Sequence, residues 1–515
     1  MSDLAARITA LSPERQALLR QYLEARARPR EAPLSPGQER LWFLERLAPG
    51  TAAYHVPAAL RLRGELDAAA LDRALAEVVA RHEILRTRFV ERDGAPVQVV
   101  DAAPAAPLIT VDDLRSLAPD EREAALEERL AAEALRTFDL AAEHPLRARL
   151  WRLGEAEHAL QMVTHHIATD GWSLGIMQRE LWTAYHAISR GERPAWAPLP
   201  MQYADHASAQ RELLSGERLE REMAFWRAHL DGAPPTLELP IDRPRPAALT
   251  FRGSSVERDV GAATLDALRA LGREERCTLY ITLLAVWHLL LARLAGADDV
   301  VVGSPVAGRT STRVEPLIGF FVNTIAVRAD LSGDTTFRGL LRRVREAAVG
   351  ALRHQDFPFD RVVEMLAPGR SSGVNPVFQT IFALEPASGA AARLPGLAME
   401  PLRPNVEAPA RFDLSLFAFE LADRLSLGLS YSTDLFDAAT AERMVAQYAR
   451  LLEQIVARPD LRISELELLS AEEHDLVVAA WNRTATAYPH ERCVHELFGE
   501  QAALTPGARA LDGES

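Results

Sequence analysis

The stretch "TLYITLLAVWHLLLARLAG", from Thr278 to Gly296, constrains this chain more than any other, because it is apolar on every side of a helix rather than along one stripe. It must either cross a membrane or lie wholly inside a core. His288 and Arg293 interrupt it and its cleanest apolar run is shorter than a bilayer requires, so a buried core helix is expected and no membrane. Enclosing such a helix takes a long chain. At 515 residues this one exceeds the size at which a single core keeps growing, and two or more lobes are expected.

The elements around it alternate in type. Ser12–Pro13 is a helix start, and the helix should run to about Arg28; Ser35–Pro36 opens a second, "GQERLWFLERL", with Leu41, Leu44 and Leu47 on one face and "RPREAP" as the linker between them. A long amphipathic helix from about Asp67 to His82 leads into a hairpin turned at Asp93 and Gly94. "HALQMVTHHI" (His158 to Ile167) reads as a strand, with a turn at Gly171 and a helix capped by Ser173. The Pro-rich passage from Asp231 to Gly253 is taken as the place where the chain crosses between lobes. A strand from Asp298 to Arg309, the segment Leu317–Arg328 and a basic helix from Thr336 to His354 follow, so the class is α/β or α+β. Arg338, Arg342, Arg343, Arg345 and Arg353 on that helix read as a solvated face ahead of a docking patch for an acidic partner. Beyond Leu469 the sequence loosens and ends without a core element, as in a fragment of something longer.

A net charge of -14, from 72 acidic and 58 basic residues with no basic run, argues against nucleic acid. The charged N-terminus lacks an export signal, and Cys277 and Cys493 stand far apart in unrelated contexts, so a cytoplasmic protein is expected.

Chemistry concentrates in "THHIATDGWS", residues 164 to 173. On a strand, His165 and His166 would point to opposite faces, one ring into the protein and one into a cleft. A histidine there could take a proton from an α-ammonium, which suits attack by the freed amine on an ester or thioester. Asp170 could pair with a buried arginine, and the amide of Gly171, with no Cβ in the way, could meet an oxyanion. A histidine pair on a strand is also often mere packing. Zinc is disfavoured, since adjacent histidines cannot both reach one ion from one strand, and Asp170, His186 and His206 form no ligand spacing.

Seven ordered segments bring in a resemblance. "HHIATDG" resembles the HHxxxDG signature of nonribosomal peptide synthetase condensation domains, and so do "LSPGQERLWFL" (Leu34 to Leu44), "RHEILRTRF" (Arg81 to Phe89), Tyr203 to Asp205, "IGFFVNTIAVR" (Ile318 to Arg328), "HQDFPFD" (His354 to Asp360) and "NPVFQTIF" (Asn375 to Phe382). The resemblance covers about residues 34 to 470. It implies an α+β fold, an α/β sandwich of two chloramphenicol-acetyltransferase-like lobes in a V-shaped pseudodimer, with the histidine loop at their junction. Its expected parts are an N-terminal helical segment or docking element (1–30), an N-lobe (31–205), a C-lobe (206–468), a linker (469–490) and a truncated adenylation-domain start (491–515).

By the same resemblance, an acceptor amine attacks a donor acyl or peptidyl thioester, and both substrates ride on the phosphopantetheine of carrier proteins; nothing is bound covalently to this chain and no metal is needed. His166 would be the catalytic residue beside His165 and Gly171, acting as base or by positioning the amine. Asp170 would be structural, with Arg309 as its candidate partner and Arg81 and Arg86 bracing the region. Trp172 and Asn323 would line the tunnel. The implied partners are a donor carrier acting in trans, or an acyl-CoA for a starter domain, an acceptor carrier and a downstream adenylation domain. A heterocyclising relative would carry aspartates for the histidines, and an epimerising one would continue differently after the aspartate. A non-catalytic recruitment module of the same fold usually lacks the second histidine, which is present here.

Overall fold

The computed structural model describes residues 30–47, 50–104, 107–366, 373–386, 396–402 and 409–509. The helix expected at Ser12–Arg28 lies outside them, as does segment 1–30 apart from Arg30.

The first lobe opens with β1 (Arg30–Pro33), α1 (Pro36–Leu47), β2 (His55–Gly64), α2 (Ala68–Arg81), β3 (Thr87–Arg92), β4 (Ala95–Val100), β5 (Ile109–Asp113) and α3 (Pro119–Leu135). It continues with β6 (Leu146–Arg152), β7 (Glu157–His165), α4 (Gly171–Ser189) and α5 (Tyr203–Leu213). Three differences from the sequence reading matter. The supposed linker "RPREAP" contributes β1, which pairs with β4 along Arg30↔Val100 to Pro33↔Val97, so an edge strand ending in Pro33 still finds a partner. In α1, Leu41 is buried but Leu47 is exposed, so the inward stripe ends before the last turn. A 3₁₀ turn, Glu83–Arg86, separates α2 from the hairpin, whose Asp93 and Gly94 both take positive φ (50° and 79°), as a primed turn requires.

The second lobe holds α6 (Gly216–Leu230), β8 (Gly253–Gly261), α7 (Ala262–Glu274), α8 (Leu279–Ala295), β9 (Asp299–Val306), β10 (Asn323–Asp330), α9 (Phe337–Arg353) and α10 (Phe359–Leu366). It closes with β11 (Thr380–Pro386), β12 (Leu397–Leu402), β13 (Leu414–Glu420), β14 (Arg424–Ser432) and α11 (Ala438–Ala457). Its six-stranded sheet has the order β10-β9-β11-β13-β14-β8. The expected core helix is α8: every residue from Ile281 to Ala292 is buried, Thr278 caps its start by accepting from the Ile281 amide, and Gly296 ends it at φ 63°. Among the described residues no single helix is long and apolar enough to cross a membrane. Four of the five arginines of α9 find partners within the lobe, while Arg353 is exposed: Arg338 meets Glu274, Glu275 and Asp460, Arg342 meets Glu275, and Arg343 and Arg345 donate to backbone carbonyls.

The chain passes from one lobe to the other between α5, which lies against β1, and α6, which lies against α10. That is earlier than Asp231–Gly253, a passage tied to the second lobe by Leu237 N–H to Gln379 and Asp242 N–H to Leu435. Two further connections join the lobes. β12 leaves the second lobe to pair antiparallel with β2, giving the first lobe's sheet the order β12-β2-β7-β6-β5. In the other direction, Val314, Leu317, Ile318 and Phe321 are buried in the hydrophobic core of the first lobe. The segment from Glu467 forms a separate compact unit with helices α12 (Ala471–Asp475) and α13 (Val494–Leu504), neither of which buries a residue.

Candidate functional site at the lobe junction

Strand β7 ends at His165, and a 3₁₀ turn over His166–Ala168 replaces further strand. The two rings diverge because of this turn, not because of strand alternation. His165 is fully buried, and its Nδ1 accepts from the Ile167 amide at 3.1 Å. His166 is partly exposed, packs edge-on against Phe320 at 5.2 Å between ring centres and donates from Nδ1 to the Thr169 carbonyl at 2.7 Å. Its backbone N–H is held by the Tyr54 carbonyl at 2.8 Å. Nδ1 therefore carries the proton and Nε2 keeps its lone pair. Burial, and then the charge of Arg411, push the His166 pKa down to about 3.

Asp170, not Ser173, caps α4: its Oδ1 accepts from the Ser173 amide at 2.7 Å. Gly171 is accordingly the first helical residue rather than a turn. A Cβ there would meet nothing within 4 Å, so the space beside the first amide of the helix is open.

The segment Val314–Phe321 arrives from the second lobe and is received by side chains of the first. His82 Nδ1 accepts from the Ile318 amide at 3.3 Å, Ser173 Oγ accepts from the Gly319 amide at 3.1 Å, and Asp170 Oδ2 accepts from the Phe321 amide at 3.0 Å. Ser173 Oγ also donates to the Gly319 carbonyl at 2.8 Å, and Tyr203 OH donates to the Phe320 carbonyl at 2.6 Å. Arg309 closes the array with Nη2 at 3.2 Å from Asp170 Oδ1 and 2.8 Å from Ser173 Oγ, and Nη1 at 2.9 Å from the Leu317 carbonyl. Its guanidinium lies 4.0 Å over the Phe321 ring. Gly319 has no alternative here, because a Cβ would fall 2.0 Å from the Tyr203 ring.

Other expected site residues lie elsewhere or have other partners. Arg81 pairs with Glu180 at 3.2 Å and faces Trp196, and Arg86 bonds the Asp101 carbonyl; neither reaches His166 or Asp170. Within that motif it is His82 that touches the junction. Asn323 spends its amide on the Gln355 and Phe357 carbonyls (2.7 and 2.6 Å) and on the Phe359 amide (3.1 Å), so it pins the segment before α10 instead of offering a polar group to a tunnel. Trp172 is half exposed and donates to the Glu315 carbonyl at 3.1 Å.

One residue at the site has no signal in the sequence. Arg411, from the second lobe, donates from Nη2 to the Ala53 carbonyl at 2.8 Å and lies 4.8 Å over the Tyr54 ring, next to the carbonyl that holds His166. Asn375 of "NPVFQTIF" fixes its backbone by donating to the Arg411 carbonyl at 2.8 Å. No group of three His, Cys, Asp or Glu side chains suited to a metal converges among the described residues.

The Condensation domain family model matches residues 29–478. The chain belongs to the condensation-domain family. This condensation domain is 44% identical over 485 residues to a linear gramicidin synthase of Brevibacillus parabrevis, covering 94% of the chain and 6% of that relative. It is 41% identical over 503 residues to a dimodular nonribosomal peptide synthase of Bacillus subtilis, covering 95% and 21%. The chain thus spans a small part of these synthetases. Among solved structures, the X-domain from teicoplanin biosynthesis superposes with a TM-score of 0.78 at 36% identity, covering 86% of this chain and 98% of that one. A four-domain nonribosomal peptide synthetase, holo-AB3403, gives a TM-score of 0.80 at 25% identity over 92% of this chain and 36% of that one. The expected α+β class with two sheet-centred lobes is therefore the fold of this condensation domain and its neighbours.

Proposed function

We propose that this chain forms an amide bond between two carrier-bound substrates. The nitrogen of the acceptor aminoacyl group bonds to the carbonyl carbon of the donor thioester, the C–S bond breaks, and the departing sulfur takes up the proton that the nitrogen sheds. The observation that carries this reading is the geometry of His166, a neutral imidazole whose Nε2 lone pair is left free by the Nδ1 bond to Thr169.

A group with a pKa of about 3 is a base weaker by roughly five orders of magnitude than an α-amine of pKa about 8. His166 therefore serves better as an acceptor that orients the neutral amine by one N–H than as the group that strips an ammonium. A thioester is already activated, so orientation supplies much of the rate. The donor is expected in trans on a carrier, with acyl-CoA use by a starter domain as the variant reading. Residues 469–490 and 491–515 are assigned to a linker and the opening of an adenylation domain. A cytoplasmic location completes the assignment.

The likeness to the X-domain, seen elsewhere in complex with OxyB, favours one other reading, a recruitment module. Wild type and His166→Ala are to be incubated with donor-loaded and acceptor-loaded carriers, and the amide product followed by mass spectrometry. Product that falls to background in the variant supports condensation. Carriers that bind without product across a broad donor panel would favour recruitment.

A further inference from the structure

The turn that carries His166 is gripped by one face of α1. Gln38 and Glu45 are seven residues apart, two helical turns, and so share that face with Leu41 buried between them. Gln38 Nε2 donates to the Ile167 carbonyl at 3.1 Å. The amide of the same residue is held by His165 Nδ1, so both backbone groups of Ile167 are fixed.

An Nδ1 that accepts must be unprotonated, so the single hydrogen of a neutral His165 is on Nε2. Burial keeps the ring neutral. Nε2 is buried without a hydrogen-bond partner, and so is Glu45 Oε2, which lies 3.6 Å from it. His55 sits opposite His165 in the β2–β7 register and places Nδ1 2.9 Å from the Ala134 carbonyl, so its hydrogen is on Nδ1 and its Nε2 can only accept. The one donor among these unpartnered atoms is His165 Nε2–H, and the acceptor facing it is Glu45 Oε2.

We propose that Glu45 is a positioning residue for His166: by holding the Nε2–H tautomer of His165 it keeps Nδ1 free to accept from Ile167, and so sets the turn that aims the His166 ring. This rests on the condensation reading for its kinetic consequence but not for its tautomer.

The test uses the full chain labelled with ¹⁵N-histidine. His165 in the wild type should show a protonated Nε2 and a bare Nδ1. Glu45→Leu, of similar volume and no acceptor, should mix or invert the tautomers and lower kcat by about tenfold or more, since small misplacements at a reacting centre are costly. KM for both carriers should stay within about twofold. Glu45→Gln, whose carbonyl can still accept from Nε2–H, should restore the tautomer and most of kcat. A wild-type ring protonated on Nδ1 overturns the proposal and needs no variant to fold; so does a Glu45→Leu chain with wild-type tautomer and kcat. If the wild type makes no amide, the reaction assignment fails alone, and the tautomers of wild type and Glu45→Leu still decide the role of Glu45.

Discussion

Arg309 and Asp170 meet at 3.2 Å from opposite lobes, with 2% and 1% of their side chains exposed. A buried pair like this gives little net stability over an apolar one, but removing one partner strands the other charge. Arg309→Ala and Asp170→Ala should each cost about 3–5 kcal/mol. In a double-mutant cycle from urea unfolding, the pair should lose clearly less than the sum of the singles. Additive losses would mean that the two charges do not stabilise one another.

Asn323 gives a contrasting expectation. Its bonds to Gln355, Phe357 and Phe359 are internal, so Asn323→Ala should lower stability by about 1–3 kcal/mol while leaving the choice among acceptor substrates unchanged. Competition between acceptors at fixed donor measures this, and a changed preference at unchanged stability would return Asn323 to the tunnel.

Arg411 holds down the basicity of His166 after burial does. In Arg411→Gln, an NMR titration of His166 should show a higher pKa than wild type, still below the ordinary 6.5 because burial remains the larger cause. An unmoved value would place the guanidinium too far away to act.

Acid should loosen the fold before its carboxylates titrate. His166 and His206 are lowered to about 3 and about 4, and His82 and His165 are lowered as well, all chiefly by burial. Below pH 6.5 the unfolded chain takes up protons on these rings and the folded chain does not, so stability is whole above 6.5 and is lost as pH falls toward 4 and then 3. Urea midpoints should decline steadily from pH 7 to pH 4.5; a flat series would contradict the buried neutral rings.

What the sequence disclosed follows a physical pattern. Local signals were readable: the apolar length of α8, the turn at Asp93 and Gly94, and the helix starts near Asp67 and Thr336 announce themselves within a few residues. Ordered motifs located His166 and Asp170. Contacts made between distant segments were not readable. Whether Asn323 faces a channel or the carbonyls of Gln355 and Phe357 depends on how β10 meets the segment before α10. Arg411 lies in "ARFDLSLF" with no spacing to mark it, and β1 looked like a linker because its partner is about 65 residues away.

The loan of β12 to the first lobe also governs how this protein comes off the ribosome. The first lobe's own elements are all made by Leu213, yet the edge of β2 stays bare until Leu402 has emerged. At ordinary synthesis rates that is roughly 10–40 s during which an exposed sheet edge must avoid other chains. The growing polypeptide cannot complete its first lobe until most of its second lobe has been translated.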